Sequence, residues 1–227
     1  MPQTVSKATE YLMLIKNDST KVTHHNLLKW EPPTRGFYKL NTDGAARGNP
    51  GIRGLGGVIR NHNGDWILGY MDNISHTTNT RAEVQALIRG LKLVEQNNLA
   101  PLEINTDSAE TINMLLNGNL IYDPLICELR SIILRMDNVV VRHIYREQNR
   151  VADALSKEAA KEIFLNKSKI LPVPPMFVND VFWADILGIE LVRSFVGCNI
   201  NTIVHNITTI GVLQYPNNAP DVVPFVN

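Results

Sequence analysis

Residues 54–70 read GLGGVIRNHNGDWILGY, and this stretch decides what kind of sheet the chain builds. Two apolar runs, Gly54–Arg60 and Trp66–Tyr70, flank the polar segment Asn61–Asp65, which contains an Asn-Gly pair. An Asn-Gly pair between apolar runs is a strong hairpin signal, because both residues tolerate the positive φ angles of a tight turn. The stretch therefore predicts two antiparallel strands.

The segments on either side of this hairpin predict a fold of alternating strands and helices. Tyr38–Asp43 predicts a strand before it, and Thr80–Gln96 predicts a helix after it, because apolar residues recur there at helical spacing. Further strands are predicted at Leu102–Asp107 and Val139–Ile144, and further helices at Ser108–Leu116, Pro124–Met136 and Asn149 to about Ile163. The order βββαβααβα predicts an α/β fold: a mixed five-stranded sheet with helices on both faces.

The regular pattern is confined to the middle of the chain. Residues 1–35 lack periodicity and end in a proline-containing segment, so we expect an N-terminal extension or linker. Residues 36–165 carry the predicted elements and are expected to form the folded domain. Residues 166–227 become rich in Pro and Asn, and we expect a poorly ordered tail.

Composition excludes several classes of protein. The 227 residues contain 22 Lys plus Arg and 22 Asp plus Glu, so a basic-tailed nucleic-acid binder is excluded. Cys127 and Cys198 are too far apart to build a zinc knuckle or a disulfide framework. With no signal peptide and no membrane-spanning segment in the sequence, we expect an intracellular protein, nuclear or cytoplasmic.

Two acidic residues stand at the ends of predicted core strands, Asp43 and Asp107. A buried carboxylate is unfavourable by several kcal/mol unless it is paired or binds a metal, so acids in these places call for an explanation. One explanation is local turn chemistry, since Gly44 follows the first acid and Ser108 the second, and each acid can cap the next element. The other is a shared site.

Glu83 and Asp153 strengthen the second explanation. Glu83 projects from the apolar stripe of its helix, although a capping box with Thr80 is an alternative role. Asp153 lies near the start of the closing helix, where the helix dipole alone also favours an acid. Four acids at one edge of the sheet form a candidate cation site. Oxygen ligands suit Mg²⁺ or Mn²⁺, and two such ions are the usual apparatus for hydrolysis of a phosphodiester.

The acids lie in a series of separated motifs: Asn41-Thr42-Asp43-Gly44-Ala45, Gly48-Asn49-Pro50-Gly51, Thr78-Asn79-Thr80-Arg81-Ala82-Glu83, Thr106-Asp107-Ser108 and Asn149-Arg150-Val151-Ala152-Asp153. In order and spacing, these motifs resemble ribonuclease H type 1, and the resemblance covers about residues 36–165. The entry Trp30-Glu31-Pro32-Pro33, followed by Lys39-Leu40-Asn41-Thr42-Asp43-Gly44, further resembles the plant subgroup related to non-LTR retrotransposons.

This resemblance implies the ribonuclease H-like fold and an endonuclease that cleaves the RNA strand of RNA/DNA hybrids, leaving 5′-phosphate and 3′-hydroxyl ends. It implies that Asp43, Glu83, Asp107 and Asp153 bind the metal ions and that His143 assists proton transfer or product release. It further implies substrate contacts at four positions: Gly44, Asn49, Thr78 and Asn79.

Two departures from the family pattern keep a second hypothesis open. Ala109 stands where bacterial members carry Gln, and the short segment Asn117–Leu120 has no charge where many members insert a basic helix. Since phosphate neutralisation supplies most non-specific affinity, we expect weak, salt-sensitive binding of hybrids by a monomer. The alternative is a catalytically silent nucleic-acid-binding module derived from a retroelement.

Overall fold

The computed structural model describes residues 22–48, 51–161, 168–197 and 222–224. These residues belong to two compact units. The smaller unit contains most of strands β1 (Val22–Leu28) and β8 (Leu191–Gly197), which form a two-stranded sheet. Within it, Nδ1 of His25 lies 2.9 Å from Oγ of Ser194. The larger unit holds the other elements and the candidate site.

The larger unit is built on a seven-stranded mixed sheet. Its strands are β2 (Tyr38–Gly48), β3 (Gly51–Arg60), β4 (Trp66–Thr77), β5 (Leu102–Thr106), β6 (Val139–His143), β7 (Lys169–Leu171) and β9 (Val222–Pro224). They lie in the order β7-β4-β3-β2-β5-β6-β9; β2, β5 and β6 are parallel, and the other neighbours are antiparallel. The predicted α/β fold with five central strands is confirmed, and β7 and β9 extend the sheet at its edges.

The predicted hairpin joins β3 to β4. Arg60 pairs with Trp66 across its base. Inside the loop, Oδ1 of Asn61 accepts hydrogen bonds from the backbone N–H of Asn63 at 2.9 Å and of Asp65 at 3.0 Å. This side-chain oxygen satisfies the turn's backbone donors, which is why an Asn at the first loop position supports the turn.

Helices pack on both faces of the sheet. Helix α1 (Asn79–Gln96) follows the hairpin directly, and the remaining helices are α2 (Ala109–Asn117), α3 (Asp123–Leu134), α4 (Arg150–Ala159) and α5 (Asn179–Ile186). Ile59 joins the core beneath α1, α2 and α3, whereas its neighbour Val58 joins the core beneath α4 and α5. Successive side chains of a strand point to opposite faces, so these two cores lie on opposite sides of one sheet.

A glycine on β3 lets α4 approach the sheet closely. A Cβ atom at Gly56 would lie 2.3 Å from the backbone nitrogen of Ser156, far inside van der Waals contact. The absence of a side chain at Gly56 therefore brings the first turns of α4, with Asp153 and Ser156, close to the strands that carry the other acids.

The expectation of a poorly ordered tail from residue 166 needs correction for residues 168–197. Strand β7 pairs with β4, and Phe182 of α5, with Val178 just before the helix, is buried against residues of α4 and β3. This segment is ordered because its apolar side chains are buried in the core beneath α4, a contact that the local sequence pattern does not indicate. Apart from residues 222–224, the rest of the expected tail lies outside the described residues, and so do residues 1–21. Among the described helices, none is long and apolar enough to cross a membrane.

Candidate active site

Asp43 lies on β2, between antiparallel β3 and parallel β5. Pairing with β5 stops at Thr42, opposite Thr106, whereas pairing with β3 continues to Gly48. The expectation that Asp43 ends its strand is therefore wrong, because β3 carries the strand onward after β5 has ended. The side chain of Asp43 is only 3% exposed, so its charge needs partners.

Asp107 directly follows Thr106, the last residue of β5. Helix capping does not explain this acid, because the N-cap of α2 is Ser108, whose Oγ accepts a 3.2 Å hydrogen bond from the backbone N–H of Thr111. Asp107 instead accepts a 3.0 Å hydrogen bond at Oδ1 from Nδ2 of Asn149. Its carboxylate therefore does not cap the helix and lies at the end of the central strand β5, where Asn149 holds it.

Glu83 is not part of a capping box either. The N-cap of α1 is Thr78, whose Oγ1 accepts a 3.2 Å hydrogen bond from the backbone N–H of Arg81, and Thr80 donates its hydroxyl to Glu110 at 2.8 Å. Glu83 lies a full turn beyond the N-cap, out of reach of the reciprocal bond that a capping box requires.

Gly44 joins the helix that carries Glu83 to the strand that carries Asp43. Its backbone N–H donates a hydrogen bond to the Glu83 carboxylate. A Cβ atom at Gly44 would lie 2.7 Å from the carbonyl carbon of Ala82 and from the nitrogen of Glu83, so only glycine permits this approach. The start of α1 is thereby held against β2.

The carboxylates of Asp43, Glu83 and Asp107 converge. Each offers an oxygen within 4.8 Å of the others, and no other set of three His, Cys, Asp or Glu in the described part of the chain does so. Burial and the charges of Asp107 and Asp153 raise the pKa of Asp43 to about 6, although a hydrogen bond from Ser156 lowers it. Burial, Asp43 and Asp107 likewise raise the pKa of Glu83 well above its ordinary value. We call these three residues the acid cluster.

Asp153 lies beside the acid cluster but is not among the residues whose carboxylate oxygens all lie within 4.8 Å of one another. Its Oδ2 accepts a 2.6 Å hydrogen bond from Nζ of Lys157, and its Oδ1 lies 3.7 Å from Nε of Arg146. Its charge still contributes to the raised pKa of Asp43. The structure thus brings three of the four predicted acids together. The fourth, Asp153, lies nearby and is paired with the side chains of Lys157 and Arg146.

With this geometry in view, comparison with protein families gives one match, to the family described as reverse transcriptase-like, over residues 41–159. That span covers more than half of the 227 residues and contains all four predicted acids. The chain belongs to the reverse transcriptase-like family. Its domain is ribonuclease H-like, as the sequence motifs predicted.

Individual relatives agree with the family. A protein of Arabidopsis thaliana, provisionally named a ribonuclease H protein, is 35% identical over 136 residues. That match takes in 59% of this chain but 22% of the relative, so the chain spans about a fifth of its length. Ribonuclease HI of Halobacterium salinarum is 30% identical over 133 residues, which are 57% of this chain and 67% of the relative.

Solved structures give the same result for the fold. Ribonuclease H1 of Halobacterium salinarum matches with a TM-score of 0.51 and 30% identity, covering 55% of this chain and 97% of that one. A ribonuclease H1 isolated from compost, solved in complex with an RNA/DNA hybrid, matches with a TM-score of 0.50 and 31% identity. That match covers 54% of this chain and 96% of the other.

His143, the predicted accessory residue of this ribonuclease H-like domain, ends β6 opposite Thr106. Its ring contacts the ring of Tyr145 edge-on at 5.9 Å and lines a cavity of about 420 Å³. Within the described residues, no hydrogen bond or ion pair joins it to the four acids. Its role in the reaction therefore stays a prediction.

The four predicted substrate contacts have different surroundings. Gly44 lies at the acid cluster, and Asn79 is the exposed first residue of α1. Oγ1 of Thr78 lies 2.9 Å from the hydroxyl of Tyr122. Asn49 lies outside the described residues. Contact between these residues and a nucleic acid stays a prediction.

Three polar residues at the site were not singled out from the sequence. Ser156 donates its hydroxyl to Asp43, Asn149 donates to Asp107, and the exposed guanidinium of Arg146 lies beside Asp153. A signal for Ser156 existed, because it follows Asp153 by three residues on a helix and so shares its face. The bond made by Asn149 joins residues far apart in sequence, and nothing in the local pattern indicates it.

Proposed function

We propose that this chain is a metal-dependent endonuclease that hydrolyses the RNA strand of RNA/DNA hybrids, leaving 5′-phosphate and 3′-hydroxyl ends. The observation that supports this proposal is the acid cluster, in which three carboxylate oxygens lie within 4.8 Å of one another in a ribonuclease H-like domain. The solved relative that holds an RNA/DNA hybrid supports the choice of substrate.

The acid cluster suits a hard divalent cation. Its donors are carboxylate oxygens alone, the ligand type that Mg²⁺ and Mn²⁺ prefer. Oε2 of Glu83 is buried and has no hydrogen-bond partner among the described residues, and the raised pKa of Asp43 reflects its burial together with the negative charges of Asp107 and Asp153. Asp43, Glu83 and Asp107 would hold the ion, with Asp153 beside them. A bound divalent cation supplies Lewis-acid stabilisation of charge on the phosphate.

The chain's own residues orient the acids. Ser156 holds Asp43, the backbone N–H of Gly44 holds Glu83, and Asn149 holds Asp107. Each carboxylate therefore has one donor that fixes its direction before substrate arrives, and such preorganisation avoids reorganisation during the reaction. Because all three donors come from elements that meet at the sheet edge, the orientation of the acids depends on the packing of α1 and α4 against β2.

Recognition of the hybrid is the less developed part of the site. We assign Gly44, Asn49, Thr78 and Asn79 to contacts with the sugar-phosphate backbone, where the 2′-hydroxyl distinguishes RNA from DNA. The exposed guanidinium of Arg146, beside Asp153, is suited to a phosphate of the same strand. The connection between α2 and α3 contains no Lys or Arg, so we expect weak binding that falls steeply with salt.

A second candidate is a catalytically silent module that binds hybrids or duplex RNA. It is favoured by the formal net charge of zero and by Asp153, whose carboxylate is paired with Lys157 and Arg146. A silent module would bind hybrids equally well with and without a divalent cation. The nuclease would bind in both conditions and cleave only with the cation.

The deciding experiment is incubation of the purified chain with an end-labelled RNA/DNA hybrid, in Mg²⁺ or in chelator. Duplex DNA and duplex RNA of the same sequence are the controls. We expect cuts in the RNA strand of the hybrid only, with 3′-hydroxyl ends that a polymerase extends. Binding without cuts in either Mg²⁺ or Mn²⁺ would favour the silent module. Light scattering of the same preparation tests the expected monomer.

A further inference from the structure

We propose that Trp30 is a positioning residue for the acid cluster and that it acts on Asp107 through Asn41 and Asn149. The inference rests on the proposed function, since it concerns how the acid cluster is held ready for a divalent cation. Trp30 lies outside residues 41–159, the span that matches the family, so this control of the site comes from a residue of the larger unit that precedes the matching span.

The inference starts from a continuous chain of hydrogen bonds. Nε1 of Trp30 donates to Oδ1 of Asn41 at 3.0 Å, and Nδ2 of Asn41 donates to Oδ1 of Asn149 at 3.2 Å. Nδ2 of Asn149 then donates to Oδ1 of Asp107 at 3.0 Å and to the carbonyl of Thr42 at 2.8 Å. Trp30, Asn41 and Asn149 are buried, with at most 4% exposed, so water does not compete for these bonds.

The chemistry at the two ends of this chain fixes its direction. An indole N–H only donates, so it selects the oxygen side of the Asn41 amide, and the nitrogen side must face Asn149. Asn149 then accepts with its oxygen and donates with its nitrogen. At the far end, a carboxylate and a carbonyl only accept, which agrees with this orientation. Trp30 thus reinforces the orientation in which the side-chain nitrogen of Asn149 points to Asp107.

The Trp30 ring is itself held in place. The guanidinium of Arg60 lies over it, 3.7 Å from the ring centroid. Arg60 pairs with Asp185 of α5 at 3.0 Å, and Asp185 also pairs at 3.1 Å with Arg150, the residue after Asn149. Trp30 and the backbone beside Asn149 are therefore both anchored to the same buried carboxylate, and the indole N–H has little freedom to leave Asn41.

Loss of the indole N–H should therefore loosen a metal ligand without removing it. The amide of Asn41 becomes free to rotate, so Asn149 loses a steady donor at its oxygen and is held only by its own bonds to Thr42 and Asp107. The donor of Asp107 is then less firmly placed. Mutation of a residue that hydrogen-bonds to a metal ligand typically lowers metal affinity by about 10- to 100-fold. Because Trp30 acts two bonds further away, we expect a smaller effect, about three- to tenfold.

The first test observes the wild-type chain without any assay of activity. In ¹⁵N-labelled protein, Mg²⁺ is titrated while the indole N–H resonances of Trp30, Trp66 and Trp183 are followed. Trp66 is the matched control, since its Nε1 makes a 2.9 Å hydrogen bond to the carbonyl of Leu171, away from the acid cluster. We expect the Trp30 resonance to shift on binding, and the resonances of Trp66 and Trp183 to stay in place.

The second test compares Trp30→Phe with Trp66→Phe. Phenylalanine keeps an aromatic ring under Arg60 and removes only the N–H donor. We expect Trp30→Phe to raise the Mg²⁺ dissociation constant by about three- to tenfold and to move the side-chain amide resonances of Asn41 and Asn149, with KM for the hybrid unchanged. Trp66→Phe should do neither, although it loses a hydrogen bond of the same kind.

The outcomes separate this inference from the proposed function. If Mg²⁺ binds and hybrids are cleaved while the Trp30 resonance stays in place, or if both variants bind Mg²⁺ like the wild type, the positioning role is overturned. If Trp30 responds to Mg²⁺ as expected but no hybrid is cut, the positioning role stands and the nuclease proposal fails. A wild-type chain that does not bind Mg²⁺ overturns both.

Discussion

Ser156 on α4 donates a hydrogen bond from Oγ to Oδ2 of Asp43 on β2, although the two residues lie 113 positions apart in the sequence. This bond opposes burial and the neighbouring acids, which raise the pKa of Asp43 to about 6. The closing helix of the domain therefore helps to set the charge of the most buried acid in the cluster, and Gly56 makes this possible by admitting α4 so close to β3.

Replacing Ser156 with Ala should raise the pKa of Asp43 further, because the ionised carboxylate loses a donor. A hydrogen bond to a charged group contributes about 1.5–3 kcal/mol, so the acidic limb of the pH–activity curve should move up by about one to two pH units. The measurement is kcat/KM against pH at subsaturating Mg²⁺. Ser131→Ala, at an exposed position of α3, is the control, and an acidic limb that does not move contradicts the assignment.

Asp43→Asn should stabilise the chain in the absence of divalent cations. The pKa of Asp43 is about 6 when folded and 3.8 ordinarily, so the folded state binds more protons between these values. The stability contributed by protonation is complete below about pH 3.8 and is lost as the pH rises through about 6. The neutral amide avoids this loss, and we expect a gain of about 1–3 kcal/mol at pH 7.5.

Urea unfolding in chelator at pH 7.5 and pH 5 measures this gain, which should shrink at the lower pH. Asp137→Asn, an exposed acid in the turn before β6, is the control and should change stability little at either pH. With Mg²⁺ present, the wild type should gain stability and Asp43→Asn should gain less, because ligand binding stabilises only the state that binds. A variant less stable than the wild type in chelator at pH 7.5 would refute the electrostatic argument.

Asp107→Asn should abolish cleavage while leaving the fold and hybrid binding nearly intact. The amide has the shape of the acid and keeps an oxygen for Asn149, but it removes a negative charge from the acid cluster. We expect turnover to fall by about 10³-fold or more, equivalent to about 4 kcal/mol of transition-state stabilisation. Single-turnover kinetics in saturating Mg²⁺ measure the loss, and unchanged turnover would remove Asp107 from the mechanism.

His143→Ala should slow turnover only in part. His143 ends β6 next to the acid-bearing end of β5, but none of the four acids is bonded to it, so an accessory role predicts a loss of about tenfold in kcat with KM unchanged. The comparison is with Asp107→Asn under the same conditions. If the two variants are equally damaged, His143 does more than assist.

The central elements and the acid cluster were predictable because their signals are local. Asn-Gly at the turn, the apolar stripe of α1 and an acid beside the end of β5 are each visible within a few residues of sequence. The register in which the strands pair, and therefore the point at which each strand ends, has no such local signal. Asp43 was expected to end its strand, since only the register with β3 reveals that β2 continues to Gly48.

The sequence does not predict the donors that orient the acids or the elements after residue 168, and the reason is related. An asparagine at the start of a helix has no local mark of a partner more than 40 residues away, as for Asn149 and Asp107. Helix α5 is short, and its order comes from Phe182, and from Val178 just before it, packing into a core formed by distant segments. Such contacts exist only after the sheet has formed.

Asp185→Ala tests whether α5 is an integral part of the folded unit. Asp185 is 3% exposed and pairs with Arg60, which is itself 1% exposed, and with Arg150. Removing one partner of a buried ion pair leaves a buried charge and lowers stability by about 3–5 kcal/mol. Asp180→Ala on the exposed side of the same helix is the control and should change stability by less than about 0.5 kcal/mol. Thermal unfolding separates the two cases, because the first loss corresponds to a fall of about 10 °C in Tm. If α5 were a loosely attached tail, both variants would unfold at the temperature of the wild type.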